Sequence, residues 1–264
     1  MSRGETGGAG APSGAPRAAS GGPRLSFAAV LVICGVALVV AIVATRILIA
    51  HPLAPGGAPG VWLGYIGVWV PLVAAVVIAA GGRLTSLASR GSFASNLLPD
   101  VALGLGAGLL ARAIDALLTV AVTGSTGLAP QPTLGGGPTG ALAAAVILAP
   151  VVVAPVIEEL FFRGVLQGAV ARALAGPAHT AAGAGSAATP DRFAVWTAAA
   201  LVAVVFAVVH VLVAPSAPIV LTVGGTFVLG IAAGAVVVRT GRLGGAIVAH
   251  VVFNGVAVLL TWPR

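Results

Sequence analysis

Ionisable side chains are scarce in this chain, and those inside its apolar stretches fall largely into three short patterns. Glu158 and Glu159 stand side by side in EELFFR, with Arg163 four residues after the second acid. Phe206 and His210 are spaced i, i+4 in FAVVH, and His250 and Asn254 repeat that spacing in HVVFN. A carboxylate near the middle of a bilayer is costly, so two in succession mark a candidate site. On a helix, each i, i+4 couple presents both side chains on one face. Adjacent residues are turned by about 100°, so Glu158 and Glu159 cannot face one point and must do different jobs. Glu159 precedes Arg163 in the favourable order for an ion pair, which leaves Glu158 on another face as a general base. Asn254 offers an amide donor and a neutral His250 offers an N–H, groups suited to an oxyanion hole. The alternative is zinc held by Glu158, His210 and His250, a His2Glu set. HExxH is absent and Asn is a poor zinc ligand, so Asn254 fits a hydrogen-bonding role better and the metal-free chemistry is favoured.

The elements that must position these residues are membrane spans. The chain is 59% hydrophobic, 7% charged and has a mean hydropathy of +1.13. Its apolar runs are about 20 residues long, the length that crosses a hydrocarbon core of roughly 30 Å. The pattern predicts an all-α polytopic bundle of seven transmembrane helices over 25–50, 61–80, 101–123, a fourth within 141–174, then 193–213, 219–238 and 243–262. A fourth span read as the most apolar window, 141–157, would put Glu158 at its end and His210 about 25 Å away in depth. Displacing that span to 146–168 and starting the fifth near Thr197 brings both residues to mid-depth.

The net charge of +7 comes from thirteen Arg and no Lys. Most of the Arg lie at span ends or between spans, where they orient helices, and no basic patch interleaved with aromatics exists, which argues against a nucleic-acid partner. Arg83, Arg90, Arg172, Arg192, Arg239 and Arg242 mark one side, giving a cytoplasmic N-terminus. Trp62, Trp196 and Trp262 fall near span ends as an aromatic belt would; Trp69 does not. Residues 1–24, rich in Gly, Ala, Pro and Ser, read as a disordered cytoplasmic tail, and 25–264 as the transmembrane domain. The lone Cys34 excludes an intramolecular disulfide and a Cys-based metal site. His51 and His179 fall in connectors. Arg46 lies in the first span, and Arg112 and Asp115, i and i+3 in the third, pair as buried charges must; contact with substrate is the other reading. Pro150 and Pro155 loosen the helix before the acids and free backbone groups. Gly230 and Gly234 form a GxxxG of the kind that packs helices closely.

EExxxR, FxxxH and HxxxN, in this order on successive parts of a multispanning chain, resemble the motifs of the CAAX protease and bacteriocin-processing family, which includes the type II prenyl endopeptidases. Glu158, Glu159, Arg163, Phe206, His210, His250 and Asn254 match every motif position, within about 148–258. The resemblance implies an intramembrane endopeptidase acting on membrane-anchored peptides or proteins. In it Glu158 and His210 activate a water and His250 and Asn254 meet the oxyanion; Glu159, Arg163 and Phe206 support the site, and no cofactor is favoured, with zinc the alternative. The rival classes are a membrane scaffold or bacteriocin-immunity protein that keeps the site without using it, and a transporter that uses buried acids as a proton relay. The Ala-, Gly-, Val- and Arg-rich composition points to a bacterial cytoplasmic membrane and gives no reason to expect a prenylated target.

Overall fold

The computed structural model describes residues 25–52, 57–81, 97–130, 138, 140–181, 191–214 and 218–262. Seven helices among them are long and apolar enough to cross a membrane, and no strand forms among the described residues. They are α1 (Phe27–Ala50), α2 (Ala58–Ala80), α3 (Leu97–Thr123), α4 (Gly140–Gly176), α5 (Arg192–Val213), α6 (Ile219–Thr240) and α7 (Gly244–Thr261). The chain is a multi-pass membrane protein. The tail at 1–24 and the connector residues Arg83 and Arg90 lie outside the described residues.

Helix starts follow local chemistry. Ser26 caps α1 by accepting from the Ala29 N–H at 3.1 Å, and Asp191 caps α5 by accepting from the Phe193 N–H at 2.9 Å. Both satisfy donors that the first turn leaves open. The Asp191 cap fixes the start of α5 at Arg192 and corrects the expected start near Thr197. The fourth span also differs from expectation, because it reaches from Gly140 to Gly176 as one 37-residue composite. The apolar window 141–157 is only its first half. Eighteen residues separate Glu158 from Gly176, and eighteen separate Arg192 from His210, so in these neighbouring antiparallel segments the two side chains reach similar height. The apparent conflict in depth came from treating the window as the helix.

Helix α4 is irregular where the prolines fall. Gly140–Leu148 is α-helical, Ala149–Val153 is a wide π turn, Ala154–Glu159 is α-helical and Leu160–Leu166 is a second π segment. Proline has no N–H to donate within a helix, and π turns occur often at functional sites. The two wide segments flank the paired acids.

The inner core runs through Phe161, Phe162, Phe206 and Leu229, all fully buried. Phe162 meets Phe206 edge to face at 5.0 Å, a favourable ring geometry. Gly230 and Gly234 let α6 lie on α5: a Cβ on Gly230 would stand 2.9 Å from the Ala203 Cβ. Outward faces carry exposed apolar residues such as Val32, Val39, Leu98 and Leu110, the surface a bilayer covers. At one end of the bundle Arg242 donates to Asp100 through Nε (2.9 Å) and Nη2 (2.5 Å), a hydrogen-bonded pair that raises the guanidinium pKa above its ordinary value. Arg239 lies over the Trp196 ring at 5.0 Å at the same end. Trp69 is buried mid-helix beside Tyr65 and Trp62, which explains its distance from any interface.

Candidate active site

Helices α4, α5 and α7 bring the three motifs to one cavity of about 380 Å³, lined by Glu158, His210, His250 and Asn254 among mostly apolar side chains. Its walls include more of the chain than the motifs do. Ala41 of α1, Tyr65 and Leu72 of α2 and Thr226 of α6 also line it. The cavity is therefore walled by three helices beyond those that carry the motifs.

The two acids have separate surroundings. Glu158 lines the cavity, with its side chain 12% exposed and its Oε2 without a hydrogen-bond partner in the protein. That atom lies 3.9 Å from His210 Nε2 and 3.9 Å from His250 Nε2. Glu159 is fully buried; its Oε2 is 3.4 Å from Arg163 Nε, and its Oε1 accepts from His250 Nδ1 at 2.9 Å. Arg163 Nη2 donates to the Gly230 carbonyl at 3.2 Å. This acid therefore links α4, α6 and α7. Phe206 packs against both imidazoles, 4.2 Å from the His210 ring and 5.8 Å from the His250 ring, with the Arg163 guanidinium 5.0 Å from its centroid.

Hydrogen bonding fixes which imidazole nitrogens face the cavity. His210 Nδ1 lies 2.8 Å from the Phe206 carbonyl oxygen. A carbonyl only accepts, so Nδ1 carries the proton and a neutral His210 presents an acceptor at Nε2. His250 Nδ1 likewise donates to the Glu159 carboxylate, so His250 has an N–H at Nε2 only as an imidazolium. An Nε2–H donor on His250 therefore calls for the doubly protonated ring, with the Glu159 carboxylate beside Nδ1.

Asn254 Nδ2 donates to the Pro150 carbonyl at 2.8 Å. The wide turn explains why that carbonyl is open. The Ala154 N–H bonds back to Ala149, and Pro155 has no N–H to offer. The amide keeps a second N–H for another acceptor. Glu158, His210 and His250 are the set a zinc ion would use, but Glu158 Oε2 stands 3.9 Å from each Nε2, more than the roughly 3.3 Å between ligands of a tetrahedral zinc ion. Among the described residues no group of three or more His, Cys, Asp or Glu is arranged to hold a metal ion.

Residues 140–256 match the family model described as type II CAAX prenyl endopeptidase Rce1-like. That segment of the chain is similar to this family's domain. The matched segment holds all three motifs and runs from the start of α4 through Asn254, leaving α1, α2 and α3 outside it. No match was found among curated proteins or among solved structures. The likeness, on a chain of seven membrane-length helices, points to a CAAX-type membrane protease.

Helix α3, though outside the family segment, touches the site's scaffold most intimately. A Cβ on Gly104 would stand 2.5 Å from the Val248 Cβ, and one on Gly108 would stand 2.5 Å from the Ala249 carbonyl. The small residues thus let α3 rest on the backbone of α7 beside His250. Arg46 is exposed near the end of α1, and His51 is exposed just beyond it; neither lines the cavity.

Proposed function

We propose that the protein is a glutamate-dependent intramembrane endopeptidase that cleaves membrane-anchored peptides or proteins with a water held between Glu158 and His210. The observation that carries this reading is the convergence of Glu158 Oε2 and the two Nε2 atoms at 3.9 Å. A water about 2.8 Å from two such atoms sits at an angle near 90°, within the ordinary range of hydrogen-bond geometry. Glu158 takes the proton as the water oxygen attacks the scissile carbonyl carbon. The oxyanion then meets Nε2–H of the His250 imidazolium and the free amide N–H of Asn254. Glu158 returns the proton to the leaving nitrogen, the C–N bond breaks, and the products are a carboxylic acid and an amine. No step calls on a metal ion.

The rival scaffold or immunity reading has no use for a buried Glu159 committed to orienting His250, and a transporter has none for an Asn amide docked on a backbone carbonyl. The Ala-, Gly-, Val- and Arg-rich composition supports a bacterial cytoplasmic membrane, and the placement of Arg between spans supports an N-terminus in the cytoplasm. The test is cleavage of a membrane-anchored, internally quenched peptide by purified protein in detergent or liposomes. Activity that disappears in Glu158→Gln is expected. Undiminished cleavage by that variant would overturn the proposal.

A further inference from the structure

The Arg112–Asp115 pair, which stood open between a structural and a substrate-contacting role, has a more specific geometry than either. Neither side chain lines the cavity. Arg112 spends all three guanidinium nitrogens inside the bundle. Nε and Nη2 both donate to the Phe253 carbonyl, at 2.9 and 2.6 Å, and Nη1 donates to Asp115 Oδ2 at 2.6 Å. The guanidinium also lies over the Phe253 ring, 3.5 Å from its centroid. Asp115 in turn abuts Gly225 of α6 so closely that a Cβ there would collide with its carboxylate.

The gripped carbonyl belongs to the peptide unit that joins Phe253 to Asn254. That unit is planar, so fixing its oxygen fixes the nitrogen and Cα of Asn254. The Asn254 side chain is docked at its other end on the Pro150 carbonyl. Asn254 is thus held from α3 through its backbone and from α4 through its amide, and its remaining N–H has one direction to take.

We propose that Arg112, held by Asp115, is a positioning residue that aims the Asn254 amide, and with it the α7 edge of the oxyanion site. The inference rests on the peptidase reading above. It assigns a role to a residue outside the segment that matches the family model, and it explains why an Arg with a planar, bidentate fork stands where a Lys would meet the charge alone.

The test uses full-length protein and the quenched membrane-anchored peptide. Arg112→Lys keeps the charge and loses the fork. It is expected to lower kcat by about 10-fold with KM within about 2-fold, the pattern of an interaction used mainly in the transition state. Arg112→Met should lower kcat further. In an Asn254→Ala background, Arg112→Met should add less than about 2-fold, because residues acting as one unit are non-additive. A full multiplicative loss in that background would reduce Arg112 to general structure and overturn the proposal. So would an unchanged kcat in Arg112→Lys, or loss of fold in both Arg112 variants. Glu158→Gln is measured alongside: if that variant stays active, the peptidase reading fails, whereas an inactive Glu158→Gln beside a fully active Arg112→Lys defeats only the positioning role.

Discussion

Exchanging each acid of the pair for its amide separates chemistry from architecture. In Glu159→Gln the Arg163 side chain, 0% exposed, loses its carboxylate. His250 Nδ1 keeps an amide oxygen to donate to but loses the charge that supports an imidazolium. Breaking a buried ion pair from one side costs about 3 to 5 kcal/mol, a large share of the roughly 5 to 15 kcal/mol that holds a typical fold together. At about 2 to 4 °C per kcal/mol, the expected fall in Tm is on the order of 10 °C. Glu158→Gln removes a charge whose Oε2 has no hydrogen-bond partner in the protein, so Tm should hold within a few degrees or rise. Its activity should fall by about 100- to 10,000-fold, the usual worth of a general base. The chain supplies its own reporter. Cys34 is the single cysteine, fully buried in the α1 part of the core, and a thiol-reactive fluorogenic dye reads its exposure on heating. Equal losses of Tm in the two variants would refute the division of labour between the acids.

Three further outcomes are expected. Asn254→Ala should lower kcat by about 100-fold through loss of an oxyanion donor, and elemental analysis of active protein should find no stoichiometric zinc; zinc at one equivalent with chelator-reversible activity would return Glu158 to the role of ligand. Pro155→Ala restores an N–H that competes for the Pro150 carbonyl, so thermal denaturation should show equal or higher stability, helix-interior Pro being unfavourable by about 3 kcal/mol, while kcat drops. Gly108→Val must push α3 off the Ala249 backbone; the small-to-large change should cost about 1 to 3 kcal/mol by dye-monitored melting and lower activity beyond what stability explains.

Much of this arrangement is legible in the sequence because helix geometry is local. The i, i+4 spacing of Phe206 with His210 and of His250 with Asn254 sets which side chains share a face, and apolar length sets the number of spans. What spacing cannot supply is the rotation of one helix against another. That Glu159 would hydrogen-bond His250 Nδ1 while Glu158 faces its Nε2 depends on how α4 and α7 are turned, and α3 packs against α7 through Gly104 and Gly108. Backbone acceptors are equally silent. The Pro150 and Phe253 carbonyls belong to residues whose side chains say nothing of hydrogen bonding, yet they hold Asn254 and Arg112. Pro150 and Pro155 were the visible trace of the first. A hydropathy window ends where charge begins, so it stops before Glu158 although the helix continues to Gly176.

The wide turns of α4 also govern the phase of everything after them. A π turn accommodates one residue more than an α turn, and one residue is about 100° of rotation. Ala149–Val153 lies upstream of both acids, and Leu160–Leu166 lies between them and Gln167. Removing one residue from 149–153 would let that stretch close into regular α-helix but would swing either the upstream half or the acids by more than a quarter turn, taking Glu158 away from the two imidazoles or the Pro150 carbonyl away from Asn254. The stretch is thus readily substituted among apolar side chains of similar size, yet intolerant of any change in length. Descendants of this chain should drift freely in residue type there while keeping the count of residues between Pro150 and Glu158.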